Sequence, residues 1–332
     1  MALVEIAIYF RQKCLYNVVR GSLKEYLIGT GGWAYFDIPG LSPLVAYSKA
    51  FTFVEVNSTF YQIPHLKEVE VWRKLVPSDF QFAVRAHQTM LQMGKPKWTQ
   101  KAIVAFERIK QTCEALRSDL LHVQVPTSFG FSQKGIDEFR SFASSIDMGK
   151  LRLALEIRGV RPSKLPPEFV SLMQDHDFIH CIDVSNGEMP AYDSDILYTR
   201  LFGKGEHNIY QPTDEELTEI DNKVSNSNSK KIVMSFHFVR MYKDAARLKI
   251  YKESGKFPKV TRSTGLASLE EVLSEDATFP TSKQELMRSQ GWKLFDLTED
   301  KRVHARDLLQ NLAERTYQNL DRVIQGLKPE VR

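Results

Sequence analysis

Apolar residues along this chain fall into two alternating kinds of run. Short ones, dense in Val, Ile, Leu and Phe, have the length and composition of buried strands, and longer amphipathic ones between them read as helices. Eight strand-like runs are legible: "YLIGTGGW" (26–33), "FTFVEVNS" (51–58), "FQFAVRAH" (80–87), "LLHVQVP" (120–126), "LRLALEIR" (151–158), "FIHCIDVS" (178–185), "ILYTRLFG" (196–203) and "KIVMSFHF" (231–238). The helix-like stretches are "SPLVAYSKAF", "HLKEVEVWRKLV", "KWTQKAIVAFERIKQTCEALRS", "IDEFRSFASSI", "PPEFVSLMQDH" and "DEELTEIDNKV". Thr213 followed by Glu216 reads as a capping box, and Pro166 and Pro167 suit a first helical turn. The link "NGEMPAYDSD" between the sixth and seventh strands is too short for a full helix. Strands that alternate with helices argue for a parallel sheet. Eight of them, ending near residue 255, predict an α/β fold of the TIM-type (β/α)8 barrel class.

That fold puts chemistry at the carboxyl ends of the strands, and the polar residues of the predicted strands cluster there. Glu55 and Asn57 share one parity on the second strand, Arg85 and His87 on the third, His122 and Gln124 on the fourth, Glu156 and Arg158 on the fifth. Asp183, Arg200 and His237 end the sixth, seventh and eighth. Residues two apart in a strand face the same way, so these charges within apolar segments point to the barrel interior. Burying so many ionisable groups together is costly unless a ligand or metal shares the site. The competing account is a Glu–Arg network that satisfies only itself. Trp33, Tyr35, Phe60 and Tyr61 follow the first two strands, where they are placed to stack on a base or sugar, or, for Phe60 above all, to roof the barrel. The loop "HQTMLQMGKPKW", with Lys95 and Lys97, opens at the same face as a cover or a phosphate contact.

Composition narrows the class. A chain of 332 residues, 42% hydrophobic and 26% charged, is long enough for one large barrel with an appendage. No apolar run approaches the ~18 residues of a membrane span, and "ALVEIAIYF" is short and interrupted by Glu5. A soluble, cytoplasmic protein with no membrane partner is expected. Cys14, Cys113 and Cys181 are odd in number and widely spaced, which predicts reduced buried thiols rather than disulfides or a zinc site. A net charge of +4 is compatible with a polyanionic partner without requiring one.

The stretch from "YLIGTGGWAYFDIPG" through "FTFVEVNSTFYQIPHLKEVEVWRKLVPSDFQFAVRA" resembles the opening of the YecE-like family, known as domain of unknown function 72. "VQVPTSFGF", "LALEIR" and "YTRLFG" resemble its Gln-x-Pro-Pro-x-Phe, Val-Glu-Phe-Arg and Arg-x-His-Gly stretches, so the likeness spans about residues 26–255. Two positions depart from the pattern: Phe202 stands where the family has His, and His237 with Phe238 where it has a pair of Asn. The resemblance implies a TIM barrel like those of the endonuclease IV and xylose isomerase group, whose members hold divalent metals on clustered Glu, Asp and His. By that analogy Glu55, Glu156, Asp183 and His237 are candidate ligands for Mg, Mn or Zn, with Glu55, Glu156 and Asp183 as the catalytic carboxylates. Arg85, Arg158 and Arg200 then hold a phosphate, with Trp33, Asn57, Tyr61 and Gln124 as further substrate contacts.

Outside the barrel, residues 1–25 form an N-terminal extension, and the sequence leaves open whether it adds a strand and turn. Residues 256–278 read as a linker with one short helix, and 279–332 as a small helical module. Within that module Ser282 and Glu285 make a capping box, Gly291 stops the first helix, and Leu308, Leu309 and Leu312 share a face. It resembles a small uncharacterised helical module appended to other proteins, with partner or nucleic-acid docking as its role or, equally, packing as a helical cap on the barrel's outer wall. Three functions follow: a metal-dependent phosphodiester hydrolase acting on DNA, a sugar or sugar-phosphate isomerase, and a non-catalytic nucleic-acid-binding or scaffold protein.

Overall fold

The computed structural model describes residues 16–19, 22–92 and 98–328. All eight expected barrel strands form: β2 (Ser22–Thr30), β3 (Phe53–Val56), β4 (Gln81–Arg85), β5 (Leu120–Val125), β6 (Arg152–Ile157), β7 (Ile179–Cys181), β8 (Ile196–Leu201) and β9 (Lys231–Phe236). They pair in parallel in the order β7-β6-β5-β4-β3-β2-β9-β8. A parallel bridge between Ile182 and Thr199 joins the last two and closes the barrel. The boundary expected at residue 26 falls inside β2, which starts at Ser22 and pairs antiparallel with β1 (Tyr16–Val19). Cys14, Lys95 and Lys97 lie outside the described residues.

The helices are α1 (Pro43–Ala50), α2 (Leu66–Leu75), α3 (Trp98–Leu116), α4 (Gln133–Ser145), α5 (Pro167–Asp175), α6 (Asp214–Ser225) and α7 (Met241–Ser254). Only a 3-10 turn, Val184–Asn186, follows β7, as the short link required. The Thr213–Glu216 capping box is formed in both directions, and Gly255 ends α7 at a φ of 75° that favours glycine.

Strand parity sorts the barrel. Residues of one parity, such as Val54, Val84, Leu155 and Met234, pack outward in the core shared with the helices. Those of the other parity fill the interior in layers. Near the amino ends Gln81 donates to Glu25 and accepts from Lys231. Leu27, Phe53, Ala83, Leu120, Ala154, Ile179, Ile196 and Val233 form an apolar middle. The next interior positions along the strands carry Glu55, Arg85, His122, Glu156 and Tyr198, with Arg200 one inward position further along its strand.

The C-terminal residues build a second core. The segment expected as a linker contains α8 (Gly265–Ser274), whose Leu269, Val272 and Leu273 pack with Leu286, Phe295, Leu309, Tyr317 and Val323. Around them stand β10 (Thr281–Ser282), α9 (Lys283–Gln290), β11 (Leu294–Asp296), β12 (Arg302–His304), α10 (Arg306–Leu309), β13 (Thr316–Tyr317) and α11 (Leu320–Leu327). Short strand pairs thus interrupt the expected helices. The Ser282 box forms in one direction only: its hydroxyl accepts the Glu285 amide, while the Glu285 carboxylate turns to Arg288. This unit is docked on α6 and α7. Arg302 pairs with Asp214, which Arg247 also holds at 2.5 Å. The Leu294 amide donates to the Gln211 side-chain oxygen at 2.9 Å.

Candidate functional site

Arg200 is the hub of the charged layer. Its guanidinium reaches Glu55 at 3.0 Å on one side and pairs with Glu156 on the other. The Tyr198 hydroxyl donates to Glu55 at 2.6 Å, and His122 Nε2 lies 2.9 Å from Glu156. Arg158 forms a 2.5 Å ion pair with the remaining Glu156 oxygen. His237 Nε2 is 3.4 Å from Glu55 and 3.0 Å from the Ser235 hydroxyl. Gly31 makes room here, since a Cβ at that position would lie 2.2 Å from the His237 ring.

Burial opposes the charge on Glu55, yet the Arg200 guanidinium prevails and holds this carboxyl well below the ordinary range. The same balance keeps Glu156 low, with His122 and Arg158 assisting Arg200. Burial, then the nearness of Arg200, lowers His122 and brings His237 down to about 4. At neutral pH the layer therefore contains two ionised carboxylates, charged arginines and two neutral imidazoles. Carboxylates pinned in this way are poor bases.

Asp183 serves differently. Its oxygens accept from the Ser185 amide at 2.9 Å, the Asn186 side chain at 2.9 Å and the Phe202 amide at 3.1 Å, which fixes the turn after β7 against β8. Burial raises its pKa despite these bonds. The expected metal set therefore does not fit an ion. The Arg200 guanidinium stands between Glu55 and Glu156 where a cation would sit, and the Asp183 oxygens are spent on its own turn. Among the described residues no group of three or more His, Cys, Asp or Glu is arranged to hold a metal.

Toward the opening the groups are less committed. Arg85 lies 4.0 Å over the Phe60 ring and donates to Gln124 at 3.0 Å, but it has no carboxylate partner among the described residues. Its Nε is buried without a hydrogen-bond partner, as are Asn57 Oδ1 and His122 Nδ1. Asn57 spends its Nδ2 on the Gly31 carbonyl. Phe60 is thus a platform for Arg85 rather than a roof. Arg158, partly exposed at the rim, stands over Phe202, which stacks on His237 at 4.7 Å. The two departures from the family pattern are therefore in contact with each other. Trp33 packs edge-on against Trp72, and Tyr61 projects outward, 71% exposed. A cleft of about 660 Å³, lined by Arg158, Arg161, Asp183, Asn186 and Phe202 among others, opens beside the mouth.

Tyr198 and Ser235 escaped the sequence reading. Their signal was parity, since each lies two residues before an expected interior group, Arg200 and His237.

A family model described as "Protein of unknown function DUF72" matches residues 27–251. The UPF0759 protein YunF of Bacillus subtilis is 28% identical over 208 residues, covering 56% of this chain and 72% of that protein. A DUF72 family protein of Thermotoga maritima superposes with a TM-score of 0.53 at 21% identity, over 69% of this chain and 100% of its own. One from Enterococcus faecalis gives 0.52 at 19%, over 69% and 94%. Among the described residues no helix is long and apolar enough to cross a membrane.

Proposed function

This chain belongs to the DUF72 family, whose description assigns no activity, and from its own geometry we propose that the barrel mouth binds a phosphate ester without a resident metal. One observation carries the reading: Arg85 is a partly buried guanidinium with no ion pair among the described residues, felt by Glu55 and Glu156 only through space, and with a buried, unbonded Nε. A desolvated cation is costly unless an anion joins it, and the guanidinium fork matches phosphate. Arg158 brackets the mouth two strands away, about 10 Å at the usual strand spacing.

Phosphodiester hydrolysis is the reaction that suits this array best. Arginines stabilise charge that develops on a transferring phosphoryl group. The isomerase reading asks Glu55 or Glu156 to act as a free base, and both are held by Arg200.

Calorimetric titration with a mononucleotide, a sugar monophosphate and a dicarboxylate tests this, with metal stripped by EDTA. The phosphate esters bind the wild-type protein, and Arg85→Ala weakens them at least about tenfold, the scale of one charge-assisted contact. Binding that requires added metal, or equal binding by Arg85→Ala, overturns the proposal.

A further inference from the structure

A second groove, of about 670 Å³, runs beside the mouth between the turn after β3 and helix α3. Its lining includes Tyr61, His65, His87, Lys101, Val104 and Arg108, and no Asp or Glu among the described residues. Lys101, Val104 and Arg108 recur at helical spacing on one face of α3. Val104 is 63% exposed there. Lys101 and Arg108 are both exposed and make no ion pair or hydrogen bond to the described residues, whereas Lys110, two residues beyond Arg108 in the same helix, is paired with Asp147. The groove adjoins the arginine site directly. Tyr61 follows Phe60, the platform of Arg85, and His87 lies two residues beyond Arg85.

We infer that this groove carries the continuation of a single-stranded nucleic acid whose phosphate occupies the mouth, an inference that rests on the phosphate reading above. Lys101 and Arg108 stand seven residues apart, about 10 Å along the helix axis, so they offer successive contacts to a repeating polyanion rather than one contact to a small ester. Tyr61 supplies an exposed ring between groove and mouth on which a base stacks, and stacking of this kind tolerates any sequence. An aromatic platform needs an unpaired base, which selects a single strand over a duplex. The free cations, the absence of lining carboxylates and the flanking ring together are the footprint of such a site.

The test is fluorescence anisotropy with a labelled thymidine oligonucleotide of about ten residues, beside calorimetry with thymidine monophosphate. The double variant Lys101→Glu, Arg108→Glu changes only exposed side chains, and circular dichroism confirms its fold. It loses oligonucleotide affinity at least about tenfold, and its slope of log affinity against log salt falls by about 1.4, or ~0.7 for each of two phosphate contacts. Tyr61→Ala weakens the oligonucleotide about tenfold, the scale of one stacked base. The Lys101→Glu, Arg108→Glu change leaves the mononucleotide unaffected, whereas Arg85→Ala weakens both ligands. If the oligonucleotide binds no tighter than the mononucleotide and the groove variants behave as wild type, the groove assignment fails while the mouth reading stands. If the groove variants lose the oligonucleotide but wild type never holds the mononucleotide, the mouth reading fails and the groove survives. Tighter binding of a duplex overturns the single-strand assignment, and failure of every ligand sinks both.

Discussion

Replacing Arg200 by Met keeps length and apolar bulk while deleting the guanidinium between Glu55 and Glu156. The Arg200 and Glu55 side chains are 2% and 0% exposed, so water cannot take the place of the lost partner. Breaking a buried pair by removing one member costs about 3–5 kcal/mol, because the other charge stays behind uncompensated. Glu156 retains Arg158 and His122, and Glu55 retains the Tyr198 hydroxyl. The expected loss is therefore about 4 kcal/mol rather than a doubled figure. Urea unfolding measures it, and its pH dependence identifies the cause. In wild type both carboxyls are held below their ordinary values. Their contribution is then fully present above a pH of about 4.3 and is lost as pH falls through the lower folded values. In Arg200→Met burial dominates at Glu55 and raises its folded value above the unfolded one, so stability drops as pH rises from about 4.3. The gap between the two proteins must widen from about pH 5 to pH 8. A gap that is constant over that range, or smaller than about 1 kcal/mol at the upper end, refutes the role assigned to Arg200. Adding Glu55→Gln and Glu156→Gln removes the stranded charges and should restore most of the loss.

Two further outcomes follow from the interface between barrel and C-terminal unit. Asp244 is buried, and burial pushes its pKa up to about 6 against the pull of Arg247. A folded value above the unfolded one means that wild-type stability falls as pH rises from about 4 to 6. Asp244→Asn removes that fall, so the stability difference moves toward the variant by up to about 3 kcal/mol between pH 4 and pH 7, read from urea midpoints, and a pH-independent difference would contradict the assignment. Truncation after Gly255 removes Arg302 from Asp214 and Leu294 from Gln211. A loss of about 2 kcal/mol lowers the melting temperature of a barrel this size by roughly 4–8 °C, and an unchanged melting temperature in calorimetry would show that the unit is freely separable.

Much of the barrel was legible because its signal is local. Strand positions follow from short apolar runs, and parity within each run assigned Glu55, Arg85, His122, Glu156 and Arg200 to the interior. The C-terminal unit was less legible for the opposite reason. Its strands are two or three residues long, below the length at which alternation can be detected. Residues 306–327 carry apolar spacings that suit one helical pattern, but two short helices and a strand divide them and bring Leu309, Tyr317 and Val323 to a common core. Helix α8 read as part of a linker because its partners Leu286, Phe295 and Leu309 come later in the chain.

The expectation of a metal set has a physical origin in the way carboxylates advertise themselves. A buried Glu in a strand demands a cation, and a pattern of residues states that demand without saying whether an ion or a guanidinium meets it. Arg200 lies 145 residues from Glu55 and 44 from Glu156. Strand register decides whether its long side chain ends between them or beside them. Here β8 brings Tyr198 and Arg200 to the interior at successive inward positions, so a hydroxyl and a guanidinium converge on the same carboxylate. Register also leaves Arg85 bonded to Gln124 without an ion pair among the described residues, so that Glu55 and Glu156 act on it only through space. Positive charge that parity alone distributes evenly among three arginines is thereby divided in kind: Arg200 is consumed within the barrel, Arg158 is shared with Glu156, and Arg85 has no ion pair among the described residues. On the phosphate reading proposed above, the two carboxylates that would repel an incoming anion, Glu55 and Glu156, are already paired with Arg200.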